Sequence, residues 1–126
     1  MSPADRNRAN KRRGSRFEVD AMHAGRSFGL DVERTARAGA EDEGDHLVRL
    51  PAGFHIPRLH IWEAKSGALK ASEFVEEAIR EANHFAAHRG LDRRDVLGLA
   101  VIKRRMKSPL DSYVLTTLRE MYERCP

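Results

Sequence analysis

Apolar residues over positions 71–89 recur every three or four places, which predicts one long amphipathic helix. Ser72 is the expected N-cap of this helix, and Gly90 is placed to end it. The helix therefore presents one continuous apolar face, formed by Phe74, Val75, Ala78, Ile79, Ala82, Phe85 and Ala86.

Shorter apolar runs predict strands. The run over residues 96–102 is almost continuously apolar, as in a strand buried on both faces. Residues 30–35 alternate between apolar and charged side chains, as in a strand with one buried face. The full set of expected strands is 30–35, 46–50, 58–64, 96–102 and 113–118.

Two further helices complete the pattern. Ser15 and Glu18 have the spacing of a capping box, so a helix is expected to open at Ser15 and to end between Gly25 and Gly29. A short last helix is expected over residues 119–124.

The predicted order of elements is α-β-β-β-α-β-β-α. A helix between two strands indicates a crossover, and hence a mixed sheet. We expect an α/β fold with a mixed central sheet flanked by helices, as one domain over residues 14–126. Residues 1–13 are mostly basic and are expected to form a flexible arm, which either follows phosphates or is simply a solvated terminus. Residues 36–44, rich in Gly, Ala and acids, are expected to form a loop.

Composition narrows the class of protein. The chain has 126 residues, a net charge of +4 and a pI of about 9.6, a balance that favours polyanionic partners without identifying one. Cys125 is the single cysteine, which excludes an intrachain disulfide and a multi-cysteine zinc site. No apolar stretch approaches the roughly 20 residues that cross a bilayer, and no signal peptide is evident. We therefore expect a cytoplasmic protein with no membrane partner.

Candidate chemistry begins with the sequence Glu63-Ala64-Lys65 near the end of a predicted strand. Residues two apart on a strand share a face, so Glu63 and Lys65 converge on one point. A carboxylate that holds a divalent cation, beside an ammonium group, is suited to phosphodiester hydrolysis. One such match is close to chance in a chain this charged, so alone it indicates only an exposed pair.

Two acidic residues upstream favour a catalytic role for Glu63 and Lys65 over an ordinary exposed pair. Asp45 opens a strand that precedes the Glu63 strand, and a hairpin or meander would bring the two carboxylates together. With the backbone carbonyl of Ala64 and water, they would make an oxygen-rich site for Mg²⁺, or for Mn²⁺. Glu18, on the first predicted helix, is a third carboxylate that would either join the cluster or bind a second ion.

These residues resemble the PD-(D/E)xK nucleases, and most closely the archaeal-type and phage Holliday junction resolvases. The resemblance covers roughly residues 11–103. It rests on segments 14–18 (GSRFE), 33–35 (ERT), 44–45 (GD) and 62–67 (WEAKSG), in the family's order.

The resemblance implies a restriction-endonuclease-like fold and an Mg²⁺-dependent endonuclease of DNA recombination and repair. Glu18 matches the helix acid, Asp45 and Glu63 match the metal ligands, and Lys65 matches the catalytic lysine. The resolvases act as homodimers on four-way DNA and leave a 5′-phosphate; a phage enzyme would work in the host cytoplasm. Gly44 replaces the proline of the family motif. The long connection before residue 59 leaves the register between Asp45 and Glu63 open.

Several polar residues are expected to hold the DNA backbone. A basic cluster over residues 103–107 follows the buried strand, where contact with phosphate and ordinary solvation are equal alternatives. His84 and His88 are expected to face solvent, and Trp62 is expected to lie in the core or at an interface. No role follows for His55, His60 or the Cys125 thiol. The predicted DNA-binding residues are Arg12, Arg13, Arg16, Arg34, Thr35, Ser66, Lys103 and Arg105.

Two alternatives remain open. One is another repair or restriction-type nuclease with the same centre but no preference for junctions. The other is a nucleic-acid-binding module of the same fold that does not cut; it would bind DNA with a steep salt dependence and no metal requirement.

Overall fold

The computed structural model describes residues 2–35, 42–53 and 56–124. Most of the predicted 36–44 loop, His55 and Cys125 lie outside these residues. The order of elements is the predicted one. The helices are α1 (Pro3–Ser27), α2 (Ala71–His88) and α3 (Leu118–Arg124), and the strands are β1 (Asp31–Arg34), β2 (His46–Arg49), β3 (Leu59–Lys65), β4 (Val96–Ile102) and β5 (Tyr113–Leu115).

The strands form one mixed sheet in the order β1-β2-β3-β4-β5. Neighbouring strands are antiparallel except for β3 and β4, which are parallel and joined by the crossover helix α2. The predicted α/β fold is confirmed, and the sheet is compatible with a restriction-endonuclease-like architecture. The β2–β3 register pairs His46 with Trp62, so the residues just beyond this pair, Asp45 and Glu63, lie at the same end of the sheet.

The two long helices cover opposite faces of the sheet. The apolar stripe of α2 packs on one face, in clusters with side chains of β2, β3 and β4. Phe17 and Ala21 of α1 pack on the other face, against Val101 and the partly buried Trp62. All seven residues of β4 are buried, as expected of a strand covered on both sides.

Helix α1 begins twelve residues earlier than predicted, at Pro3 rather than Ser15. The Ser2 side chain accepts a hydrogen bond from the Asp5 backbone N–H (3.1 Å), and proline at the first helical position needs no backbone donor. The predicted capping box at Ser15 is therefore wrong, since Ser15 lies inside the helix. The basic residues expected in a flexible arm form its first half and are mostly exposed.

The predicted C-terminal end of α2 at Gly90 is confirmed, whereas the predicted N-cap is wrong. Lys70, not Ser72, occupies the N-cap position, and it makes no side-chain capping bond. Gly90 follows the helix with φ 62°, the left-handed conformation expected of a glycine that ends a helix. No helix in the described ranges combines the length and apolar character that crossing a membrane requires.

Candidate functional site

Glu63 and Lys65 lie on the face of β3 that is covered by α2. Alternation along the strand turns Trp62 and Ala64 to the opposite face, towards α1. Lys65 Nζ lies 3.3 Å from Glu63 Oε1, so the structure brings together the two residues that the spacing paired. Lys65 Nζ also lies 5.3 Å from the centre of the Phe74 ring.

Helix α2 adds two glutamates that the sequence analysis missed. Glu77 Oε2 lies 2.8 Å from Lys65 Nζ. Glu63, Glu77 and Glu81 each offer a carboxylate oxygen within 4.8 Å of the other two. A signal was present, because Glu81 interrupts the apolar stripe between Ala78 and Ala82. We call these three glutamates the acidic cluster.

Two members of the acidic cluster are deeply buried, with exposed fractions of 4% for Glu63 and 3% for Glu81. Burial and the neighbouring Glu81 carboxyl raise the pKa of Glu63 to about 9. Burial likewise raises the pKa of Glu81 to about 7, with further negative charge from Asp42 and Glu77. Among the described residues, Glu63 Oε2 and Glu81 Oε2 have no hydrogen-bond partner. The cluster is therefore short of positive charge or protons.

Lys65 is a stable cation at this position. Partial burial acts to lower the pKa of Lys65, but the ion pairs with Glu77 and Glu63 outweigh it and hold the pKa above its usual value. The ammonium is thus suited to orient or neutralise an anion. It is not suited to accept a proton.

Asp45 lies at the end of the sheet beside the acidic cluster. One of its carboxylate oxygens accepts a hydrogen bond from the Ala64 backbone N–H (2.8 Å), and its own N–H donates to the Trp62 carbonyl (2.9 Å). The side chain is buried, and its charge contributes to the raised pKa of Glu81. The predicted proximity of Asp45 to the Glu63 end of β3 is thus present.

Gly44 stands where the nuclease motif that the sequence resembles has a proline. Its φ of +94° is closed to proline, whose ring fixes φ near −65°. A Cβ atom here would lie 2.5 Å from Ile61 Cγ2 and 3.2 Å from the Trp62 carbonyl oxygen. The backbone before Asp45 therefore passes so close to β3 that only glycine fits.

Glu18 and Arg34 lie on the α1 side of the sheet. The Glu18 carboxylate pairs with the Arg34 guanidinium at 2.7 Å, and the Glu18 carbonyl accepts a 2.7 Å hydrogen bond from His46 Nε2. The Thr35 hydroxyl donates to the Gly44 carbonyl. A cavity of about 430 Å³ brings Glu18, Arg34 and Thr35 to Asp45. Asp45 is thus shared between two faces, whereas Glu18 and the acidic cluster lie on opposite sides.

A larger cavity of about 980 Å³ opens beside Lys65, between the first half of α1 and the turns that follow β3 and β4. We call it the basic cleft. It gathers four of the predicted DNA-binding residues, whereas Arg12 and Arg16 are exposed on α1 without lining it. Its lining is Asn10, Arg13, Lys65, Ser66, Gly67, Phe74, Lys103, Arg105 and Met106.

The two α2 histidines hold the segment that leads to Asp45. His84 Nδ1 lies 3.0 Å from the Asp42 carbonyl oxygen, and His88 Nδ1 lies 2.8 Å from Glu43 Oε2. His88 is exposed, as expected, but His84 is half-buried, so the prediction that it faces solvent is wrong. Sequence spacing did not reveal this contact, because its partners are more than forty residues away along the chain.

No family profile, no curated protein and no solved structure matches this chain.

Proposed function

We propose that this protein is a metal-dependent DNA endonuclease, and that four-way junctions are its substrate. One observation carries the proposal. The deeply buried Glu63 has a carboxylate oxygen with no partner in the described part of the chain, and it lies beside the cation Lys65 at the edge of the basic cleft. Buried unpaired carboxylates are costly, and they concentrate at functional sites.

Glu63 and Asp45, with the Ala64 backbone carbonyl, are the proposed ligands of the catalytic cation. The donors are all oxygens, the set that Mg²⁺ and Mn²⁺ prefer, and Glu63 Oε2 is available to a ligand. When bound, such an ion polarises a phosphate and lowers the pKa of water. Glu18 lines the same α1-side cavity as Asp45, and we assign it the role of an accessory acid.

Lys65 acts on the substrate through its charge. Its ammonium lines the basic cleft, where it would orient the attacking water and offset charge that builds up on the phosphate. Its raised pKa keeps it protonated at neutral pH. The proton of the attacking water therefore does not pass to Lys65.

The DNA backbone is proposed to lie in the basic cleft. Arg13, Lys103 and Arg105 approach the cleft from separate elements, so one strand would be held at several phosphates, with Ser66 as an uncharged donor. Arg12 and Arg16 extend the basic surface along α1. Arg34 and Thr35 contribute on the Asp45 side, where Arg34 must exchange its ion pair with Glu18 for a phosphate.

A homodimer is part of the proposal, because a four-way junction presents two strands to cut. The last strand and helix expose apolar side chains that an interface between two copies would cover, namely Tyr113, Val114, Leu118 and Tyr122. The mass of the protein in solution tests this. The cytoplasm is the proposed location, since DNA is the proposed substrate.

The test is cleavage of a labelled four-way junction beside linear duplex and single-stranded DNA, in Mg²⁺ and in EDTA. We expect paired nicks in the junction that require the metal and that disappear in Glu63→Ala. Cleavage of all three substrates would keep the nuclease and remove the junction preference. Binding without cleavage in both Mg²⁺ and Mn²⁺ would leave a nucleic-acid-binding module.

A further inference from the structure

The α2 glutamates are not needed for the proposed catalytic site, yet they face it. We infer that Glu77 and Glu81 form, with Glu63, a second divalent-cation position, and that Lys65 Nζ occupies it when no cation is bound. The inference rests on the proposed function in that Glu63 would be a ligand at both cation positions. Whether the second position binds an ion does not depend on whether the protein cuts DNA.

Charge balance is the first argument. The acidic cluster contributes three carboxylates, and Lys65 is the only cation ion-paired with them in the part of the chain that the structure describes. The lysine bridges Glu63 and Glu77 but forms no ion pair with Glu81. With all three carboxyl groups ionised, a single ammonium would leave the cluster with an excess of negative charge in a poorly solvated place, so the cluster must hold either protons or a further cation.

The second argument is independent of the clustering. Within residues 2–35, 42–53 and 56–124, nothing forms a hydrogen bond with Glu63 Oε2 or Glu81 Oε2, and both side chains are more than nine-tenths buried. Buried polar atoms in folded proteins are almost always paired, so these two oxygens point to a missing ligand. Either a proton or a metal ion would supply it, and these two differ in their response to a chelator.

The third argument is rigidity. Glu77 and Glu81 are four residues apart, so they project from the same side of α2. The helix lies so close to the sheet at this point that a Cβ atom on Gly98 would be 2.8 Å from the Ala78 carbonyl oxygen. The ligands therefore come from a strand and a helix whose separation is fixed by packing, as a preformed metal site requires.

The chemistry of the donors sets the class of ion. All the ligands are carboxylate oxygens, which favours Mg²⁺, Mn²⁺ or Ca²⁺ over zinc or copper. An ion at this position would compete with Lys65 for Glu77. Lys65 also lines the basic cleft, so its release would bring the ammonium to the phosphate side.

The test is to count bound Mn²⁺ by electron paramagnetic resonance on the chelator-stripped, full-length protein without DNA. We expect two ions on the wild type. Glu81→Gln and Glu77→Gln should each bind one, with affinity at the second position lowered more than about tenfold. Glu76→Gln is the matched control, because Glu76 is exposed on the same helix, and it should still bind two ions.

A fourth variant tests the role given to the lysine. Lys65→Met removes the proposed occupant, so the second Mn²⁺ should bind several-fold more tightly than in the wild type. An unchanged affinity would overturn the view that Lys65 and the ion compete. Cooperative thermal unfolding in EDTA checks that every variant is folded. Glu77→Gln replaces a partly exposed side chain and leaves the deeply buried Glu81 in place, so it tests the position without changing a buried residue.

An unchanged ion count in both Glu77→Gln and Glu81→Gln would overturn the inference and leave a proton-linked ion-pair network. The two proposals fail separately. If the wild type cuts no DNA but Glu77→Gln and Glu81→Gln each bind one Mn²⁺ fewer than the wild type, the second cation position stands and the nuclease proposal fails. If the wild type cuts DNA but the two variants bind as many ions as the wild type, the nuclease proposal stands and the second cation position fails.

Discussion

Burial of Glu63 and Glu81 is the feature that separates this site from an ordinary charged surface. An exposed Glu-x-Lys pair on a strand costs little and does little. Here α2 covers the pair, so Glu63 is deeply buried and Lys65 is partly buried. The same burial raises the pKa of both buried glutamates, to about 9 and about 7. In the metal-free protein the site is therefore a source of instability.

The pH dependence of stability follows from these two groups. Above the ordinary Glu value of 4.5, the unfolded chain has released protons that the folded cluster still holds. The free energy of unfolding in EDTA should therefore fall as the pH rises from about 7 to about 9, a window above the titration of the buried histidines. Urea denaturation at several pH values measures this.

Glu81→Gln is the informative variant for that experiment. It removes the carboxyl group that helps to raise the pKa of Glu63, so the fall in the free energy of unfolding between about pH 7 and about pH 9 should become smaller. Glu76→Gln, on the solvent side of α2, should keep the wild-type slope. A wild type whose stability rises from pH 7 to 9 would contradict the assignment of these pKa shifts.

Gly44 gives a second prediction at this scale. A side chain at φ +94° is strained by about 1–3 kcal/mol, and here it would also collide with Ile61. Gly44→Ala should therefore lower the free energy of unfolding by at least that amount and disturb Asp45. Gly53, which has φ +105° but open space around it, is the control for strain without collision. Equal losses in Gly44→Ala and Gly53→Ala would remove the argument from close approach.

At the scale of elements, the sequence predicted the helices and strands whose apolar periodicity reflects burial in the core. The α2 stripe and the apolar run of β4 occur where expected, because each is packed against the core along its whole length. The start of α1 was missed, because its first half is polar and exposed and leaves no apolar period. Only the Ser2-Pro3 pair indicates where α1 begins, and two residues are a weak sequence pattern.

The site was predicted in part for a similar reason. Glu63 and Lys65 are two apart on one strand, so local geometry pairs them. Glu77 and Glu81 join them only because the crossover places α2 over β3, and spacing within the sequence carries no information about that contact. The register that places Asp45 likewise depends on a long connection between β2 and β3.

Helix α3 is held by one buried acid, which provides a prediction for an element. Glu120 accepts hydrogen bonds from the Arg93 guanidinium (2.9 Å) and from the Gly98 backbone N–H (2.9 Å), with its side chain 2% exposed. Glu120→Ala leaves the partly buried Arg93 guanidinium without its anionic partner and should cost about 3–5 kcal/mol of unfolding free energy. Chemical denaturation measures this.

The control lies on the same helix. The Glu123 side chain is exposed and forms only long ion pairs, at 3.7 Å with Arg119 and 3.9 Å with Arg124, so Glu123→Ala should cost less than about 1 kcal/mol. Similar losses in the two variants would show that Glu120 does not anchor α3 to β4.

At the scale of the whole molecule, the fold places negative and positive charge side by side. The acidic cluster is enclosed between α2 and the sheet, and the basic cleft opens next to it, with Lys65 at the boundary. A polyanion held in the cleft would thus present its backbone to the carboxylates. The proposed nuclease requires this arrangement of carboxylates beside a basic cleft.

The basic cleft predicts a particular salt dependence of DNA binding. Alanine at Arg13, Lys103 or Arg105 should weaken binding by a similar factor for every DNA sequence and lower the slope of log K against log salt by about 1. Arg119, an exposed arginine of α3 outside the cleft, is the control. Titration in Ca²⁺ or EDTA at several salt concentrations measures the slope. Unchanged slopes in all three variants would place the DNA elsewhere.

The most direct test of the account is single-turnover cleavage of a labelled four-way junction by the wild type, Glu63→Gln and Glu76→Gln, with junction binding measured on the same samples. We predict Mg²⁺-dependent cleavage by the wild type and by Glu76→Gln. Glu63→Gln should bind the junction as tightly as the wild type and cut it at background rate. Cleavage by Glu63→Gln at the wild-type rate would contradict the central claim, because the reaction would then not depend on the buried carboxylate.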